Sequence, residues 1–451
     1  MTASPYDDPL RARHPGAGLE HPWTYWQATA GPAPADDGVL DGDRDCDVAI
    51  IGGGYTGLSC AYHLARDAGA STVVLEANQP AWGCSGRNGS FARPAIGRLP
   101  YAQWERRWGR DGARGMFDEA LAALETVREV IRDAGIDCDV QSDGWLKLAH
   151  TADQVDHLKE EQALLSDLFG FTVDFLDKGR IAAEHVNGGE AHAALRWPVS
   201  FAMHPLKLGY GLLRAARGVG AAVHAGSPAL GIDKRDARHL VSTPQGTVRA
   251  REIVIATNGY TLESLFPALR GRLAPVLSNI VVTRPLSDEE IERGNFVTTD
   301  CMSDTRKLLH YYRRLPDNRI MLGGKGPLRD RTHAMQRHRA ALLDVVARKF
   351  PFVGKVEAEH FWGGWVALTP DSVPHVFHAA DDPSLHYALG YMGSGVSFSF
   401  HAGRRIAERI GGRPATLPAP VSRSLPRFPF AAFRRVGQAI AMRWMAFKDG
   451  G

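Results

Sequence analysis

The residues Gly52-Gly53-Gly54-Tyr55-Thr56-Gly57 have the spacing G-x-G-x-x-G, which is the chemistry of a pyrophosphate cradle. Gly52 permits a tight turn, Gly54 lets the main chain approach the phosphates, and Gly57 allows a helix to pack closely on the preceding strand. Tyr55 and Thr56 open that helix, whose N-terminus supplies free N–H groups and partial positive charge. Roughly 20 residues further on stands Glu76, followed by Ala77, at the distance where a carboxylate accepts hydrogen bonds from ribose hydroxyls and disfavours a 2′-phosphate. The glycine pattern alone is a weak signal; its setting between an apolar run and a helical segment is what confirms it.

A second glycine-rich stretch follows, Gly83-Cys84-Ser85-Gly86-Arg87-Asn88-Gly89-Ser90. One reading is a plain surface loop. The other is a backbone made small enough to approach a large flat cofactor, with Arg87 and Asn88 reaching its phosphate or ring.

These groups need elements to hold them. Asp47–Ile51 reads as a buried parallel strand, 57–68 as a helix and Ser71–Glu76 as a second strand, together a βαβ unit. Segments 113–134 and 151–168 read as amphipathic helices outside that unit. The strand Glu252–Ala256 ends in Thr257-Asn258-Gly259, and alternation near 276–284 and 306–324 predicts antiparallel strands of a second domain. A last strand at His386–Gly390 leads through a glycine-rich turn into a helix at 395–410. Residues 1–44 form an arm anchored by Trp23, Tyr25 and Trp26.

The 451 residues suit about two joined domains. The chain is 44% hydrophobic and 23% charged, and its net charge of +3 is what remains of 53 basic and 50 acidic residues, so nucleic acid is not an expected partner. Five scattered cysteines without a C-x-x-C pair suggest neither disulfides nor zinc. No apolar leader or spanning run is visible, and a cytoplasmic protein is expected. His204 and His401 are read as structural, and no metal site is expected.

Three further segments complete a pattern: Tyr311-Tyr-Arg-Arg314, Met321-Leu-Gly-Gly324 and Gly390-Tyr-Met-Gly-Ser-Gly-Val396. Together with the glycine loops and Ala256–Gly259 they make the chain resemble the D-amino-acid oxidase superfamily of FAD-dependent oxidoreductases. The likeness is strongest to the γ-glutamylputrescine oxidoreductase group and runs from about residue 22 to the tail. It implies an α/β fold, with a discontinuous Rossmann-like FAD-binding domain joined to an antiparallel-sheet substrate domain. The expected division is an arm at 1–44, FAD-binding segments at 45–100, 190–275 and 355–412, substrate segments at 101–189 and 276–354, and a basic tail at 413–451.

The resemblance also implies a function: oxidation of a primary or secondary amine or amino acid by hydride transfer to flavin N5, giving an imine that hydrolyses. A γ-glutamylputrescine-like or N-alkyl amino acid substrate is expected. The alternatives are a 2-hydroxy-acid dehydrogenase and a flavoprotein subunit of a larger complex. By the same resemblance Ala229, Ala256, Thr257, Asn258, Gly364, Gly393, Ser394, Gly395 and Val396 join the glycine loops in binding FAD. Tyr312, Arg313, Trp365 and Ser394 are the candidate catalytic residues, with His310, Tyr311 and Tyr391 as further pocket candidates. Since strand neighbours face opposite ways, at most one of Tyr312 and Arg313 can face the substrate. Arg313 binds a carboxylate or lies on a solvated strand edge. Relatives carry His where Ser394 stands.

The family's flavin-linking Cys has no counterpart near Trp362–Asp371, so FAD is expected to be non-covalent, and Cys84 reads as a small loop residue. The relatives' lysine over the flavin has none between Arg272 and Arg284, which leaves oxygen or another acceptor open. The tail places Phe433, Val436, Ile440, Trp444 and Phe447 on one helical face. Such a basic amphipathic helix can bind an anionic membrane, but docking of its apolar face on the enzyme or a sister subunit is the expectation. Oligomeric state is open.

Overall fold

Val48–Ile51 is buried without interruption and forms the end of strand Arg44–Ile51, the middle of an eight-stranded sheet. The computed structural model describes residues 4, 6–12, 16, 18–141, 144–328, 332–393 and 395–449. Thr72–Leu75 and Thr247–Ile255 flank the central strand in parallel, and Ala222–His224 and Leu385–Leu389 extend the parallel set on either side. Ile51 is in register with both Leu75 and Ile255, so three strands end at one level. A parallel sheet opens its ligand crevice at that carboxyl edge. Helices Tyr55–Ala68, Pro205–Gly218 and Gly395–Ile410 cover one face, sharing a core that includes Val48, Ile50, Leu58, Leu212 and Phe398.

The second sheet also has eight strands, in the order 358–368, 274–285, 319–325, 311–314, 301–304, 145–148, 193–197, 174–177. Its neighbours are antiparallel except Cys301–Asp304 beside Trp145–Leu148, which run parallel. Ala193–Trp197 and Ala358–Leu368, placed by sequence in FAD-binding segments, pair with the second sheet. The helix Tyr101–Asp133, placed by sequence in the substrate segments, packs on Gly395–Ile410 instead. There His401 bonds Thr126 at 2.8 Å and Glu119 at 2.6 Å.

His204 caps helix Pro205–Gly218, its Nδ1 accepting the Lys207 N–H at 3.1 Å. The five cysteines are free thiols, four of them buried. Among the described residues no helix is long and apolar enough to cross a membrane.

The C-terminal helix Arg434–Lys448 docks on its own chain through polar groups, not through the apolar face expected to meet the enzyme or a sister subunit. Arg434 pairs with Glu263 and Arg435 with Asp8, and Asp449 accepts the N–H groups of Lys307 and Leu308 at 2.8 Å each. The apolar stripe faces outward. Its sequence pattern was right, but ion pairs to distant carboxylates choose which face meets the body.

Candidate active site

A cavity of about 880 Å³ lies at the carboxyl edge of the first sheet and reaches the second. At one end the chain leaves Ile51 through Gly52, whose φ of +111° is open to glycine and strained for other residues. A Cβ there would lie 2.8 Å from the Ala256 carbonyl oxygen. Gly52, Gly54, Tyr55 and Thr56 line the cavity. Gly57 sits behind them, where a Cβ would fall 1.9 Å from the Gly52 oxygen, so its work is helix packing. The helix Tyr55–Ala68 starts at Gly54 without a side-chain cap from its own N-cap residue, which leaves the Thr56 and Gly57 amides of its first turn for a ligand.

Glu76 also lines the cavity, with Ala77. One carboxylate oxygen accepts the Gly53 N–H at 2.7 Å and the other the Asn78 N–H at 2.9 Å. Burial pushes this carboxyl upward while those amides pull against it. Each oxygen keeps a lone pair for a hydroxyl donor.

The second loop folds over the same space. Ser85 Oγ accepts the Tyr55 N–H at 2.9 Å, joining the two loops. Asn88 braces its own loop, donating to the Cys84 and Ser85 carbonyls at 3.1 and 2.8 Å. Arg87 donates through Nε to Trp82 O at 2.7 Å and through Nη1 to Gly363 O at 3.2 Å. Its buried Nη2 has no partner among the described residues, an unused donor in the wall. Cys84 donates its S–H to Trp365 O at 2.9 Å, and burial pushes the thiol up to about 12, so it is no ready nucleophile. Gly83 and Gly89 line the cavity, whereas Gly86 is packed away against Ala81 and Leu206.

Across the cavity, Ala229, Ala256, Thr257, Asn258 and Gly364 contribute to the wall, as do Trp365 and Tyr391. Asn258 Oδ1 accepts the Gly390 N–H at 2.9 Å, and Thr56 Oγ1 donates to Tyr391 Oη at 3.1 Å. Gly393, with φ +96°, turns the chain so that Gly395 and Val396 open the helix Gly395–Ile410 at the wall. Two helix N-termini thus converge on one cavity.

Its other end is strongly basic. Arg93, Arg98, Lys307 and Lys325 line it, and among the described residues none of the four forms an ion pair, although Asp449 acts on Lys325 from nearby. Arg93 stacks over Trp145 at 4.4 Å and donates to Gly393 O at 2.9 Å. Burial, then repulsion from Arg93, lowers Arg98 to about 10; burial, then Arg98, lowers Lys325 to about 7. Tyr311 Oη shares a 2.9 Å hydrogen bond with Ser278 Oγ. Trp444 and Met445 of the C-terminal helix close the rim.

These features fit FAD: a glycine cradle a Cβ would fill, two helix starts at the wall, a carboxylate with spare lone pairs and an Arg87 donor without a partner among the described residues. Residues 47–409 match the DAO family, FAD dependent oxidoreductase. The chain belongs to that family. This FAD-dependent oxidoreductase is 32% identical to gamma-glutamylputrescine oxidoreductase of Escherichia coli (strain K12), over 92% of the chain and 94% of that protein. It is 28% identical to a D-amino acid dehydrogenase of Methylobacterium nodulans, over 81% of the chain and 95% of that protein. Glycine oxidase from Geobacillus kaustophilus shares the fold, with a TM-score of 0.69 at 20% identity, covering 86% of this chain and all of that one.

Two of the oxidoreductase's expected catalytic residues lie elsewhere. Strand Tyr311–Arg314 turns Tyr311 to the cavity and Tyr312 to the opposite face, against Phe350 and the Lys349 ammonium. Arg313 shares Tyr311's parity but is sealed beneath Trp26, bonded to Gln141 and, at 2.9 Å, to Met203 O. It is 1% exposed and is neither a substrate anchor nor a solvated edge. His310 is held by Asp304 instead of lining the cavity. Ser394 lies outside the described residues. Sequence reasoning missed Arg93, Arg98, Lys325 and Trp444; only the basic character near 93–98 was visible, since their convergence depends on how the two sheets meet.

Proposed function

We propose that this oxidoreductase oxidises an amine that also carries a carboxylate, as γ-glutamylated polyamines and N-alkyl amino acids do. Bound FAD supplies the hydride acceptor. The substrate loses a hydride from the carbon next to nitrogen and a proton from nitrogen, and the resulting imine hydrolyses to a carbonyl compound and an amine.

The observation that carries this reading is the pair Arg93 and Arg98, two neighbouring guanidinium groups in the wall with no carboxylate acting on them among the described residues. Like charges held out of bulk water are costly until an anion joins them. A substrate carboxylate meets that need, and Arg98 is placed to grip it. The name of the E. coli relative points to the same class of substrate. Tyr311 and Trp365 supply apolar walls that exclude water from the reacting carbon.

Hydride loss requires a neutral amine. Lys325 Nζ, lowered to about 7, is uncharged above that pH and accepts the substrate ammonium's proton; below it, Nζ is already protonated and cannot. The rate of anaerobic flavin reduction is therefore expected to rise about tenfold per pH unit below 7 and level off above it. Lys325→Met should leave only the titration of the amine itself. An unchanged profile would remove Lys325 from the chemistry.

The deciding experiment is anaerobic titration of the flavin absorbance. Bleaching by carboxylate-bearing amines and not by 2-hydroxy acids is expected. Bleaching by hydroxy acids would install the dehydrogenase alternative, and a flavin that neither class reduces would favour a partner-subunit role. Admitting air afterwards distinguishes oxygen from another acceptor.

A further inference from the structure

We propose that the C-terminal helix Arg434–Lys448 is a docking surface for an anionic lipid bilayer. Phe433, Val436, Ile440, Trp444 and Phe447 are between 55% and 73% exposed, and Phe430, just before the helix, is 85% exposed. At about 100° per residue the four helical side chains, with Phe433 at the N-cap, fall within roughly 40° of Ile440, a continuous apolar stripe. Exposed Arg443 and Lys448 stand on its two edges. That is the cross-section of a helix lying in a membrane interface, with aromatic side chains below the headgroups and basic ends reaching anionic lipids.

The stripe is free because the helix is held by its other face: Arg434 on Glu263, Arg435 on Asp8 and Pro275, and Asp449 on the Lys307 and Leu308 amides. Charge decides the occupant. The helix has no acidic residue of its own, so a second copy packed stripe to stripe would set Arg443 and Lys448 among like charges. Anionic headgroups complement them. With 15 residues the helix is too short to span a bilayer, which takes about 20 residues, so it lies in the plane. Since Trp444 and Met445 also rim the cavity, the docked face adjoins the active-site mouth.

The test is co-sedimentation of the full-length holoenzyme with phosphatidylglycerol/phosphatidylcholine vesicles and with pure phosphatidylcholine vesicles. Sedimentation with the anionic vesicles only, released by high salt, is expected. Arg443→Gln should weaken partitioning about fivefold. Ile440→Ser with Phe447→Ser should weaken it at least about tenfold while turnover of soluble substrate stays unchanged. Equal binding to neutral vesicles, no binding, or anionic binding that survives the double variant would overturn the proposal. So would a concentration-dependent dimer that the double variant dissolves, which would assign the stripe to a second copy.

Discussion

Replacing Gly52 by alanine is expected to yield a protein that purifies without flavin absorbance while keeping most of its secondary structure. The φ of +111° alone costs an alanine on the order of 1–3 kcal/mol. The new Cβ would also press on the Ala256 oxygen and carbon, at 2.8 and 3.1 Å. Those are backbone atoms at the end of a strand paired with Arg44–Ile51, so neither side yields cheaply. The loop must move instead, and its amides move with it. FAD affinity should drop by about two orders of magnitude or more, because several charge-assisted hydrogen bonds misalign together. Gly54→Ala is the companion variant. There the nearest atom is Ser85 Oγ at 2.9 Å, which can rotate, so folding is spared while a methyl group joins the cavity wall. Absorbance near 450 nm and circular dichroism read both. Stoichiometric FAD in both variants would show that this loop is not the cradle.

Arg98→Ala is expected to raise KM for a carboxylate-bearing amine by roughly 10- to 100-fold, the worth of a hydrogen bond to a charged group. An amine of the same length without the carboxylate should change by less than about threefold, and its KM should already be high. Removing Arg98 also relieves Lys325, whose lowered pKa owes its second-largest cause to that guanidinium. The pH limb near 7 should therefore shift upward in the variant, a change that a purely structural arginine would not produce. Equal loss for both amines would mean that Arg98 only supports the fold, through its 3.3 Å bond to Lys307 O.

Much of the cofactor end was legible because its signals are local. The glycine turn, the apolar strands beside it and Glu76 lie within one βαβ unit, where spacing alone dictates geometry. The substrate end was not. Tyr311 and Tyr312 differ only in strand parity; pairing with the adjacent strand Arg319–Lys325 is local, but which of the two tyrosines meets the cavity depends on which face of the second sheet closes on the first. Arg313 looked like an anchor because nothing in the sequence announces that Trp26 of the N-terminal arm covers it. Lys325 ends its strand like many solvated lysines; only Arg98 and the C-terminal helix, brought from opposite ends of the chain, bury it. The tail's periodicity could be read directly, but its orientation depends on Asp8 and Glu263.

The strand Arg44–Ile51 lies between neighbours drawn from residues 72–75 and 247–255, and the cavity wall is finished only by Gly395 and Val396. On the ribosome, therefore, the glycine loop emerges long before its site exists. At ordinary synthesis rates the roughly 340 residues between Gly57 and Val396 take on the order of 20–70 s to appear. During that interval Val48–Ile51 and Thr72–Leu75 have no central sheet to enter, and they are the segments a holdase chaperone would shield. Flavin loading becomes a late, nearly post-translational event, and riboflavin scarcity would be felt as finished apoprotein waiting for its cofactor, not as a pause in making it.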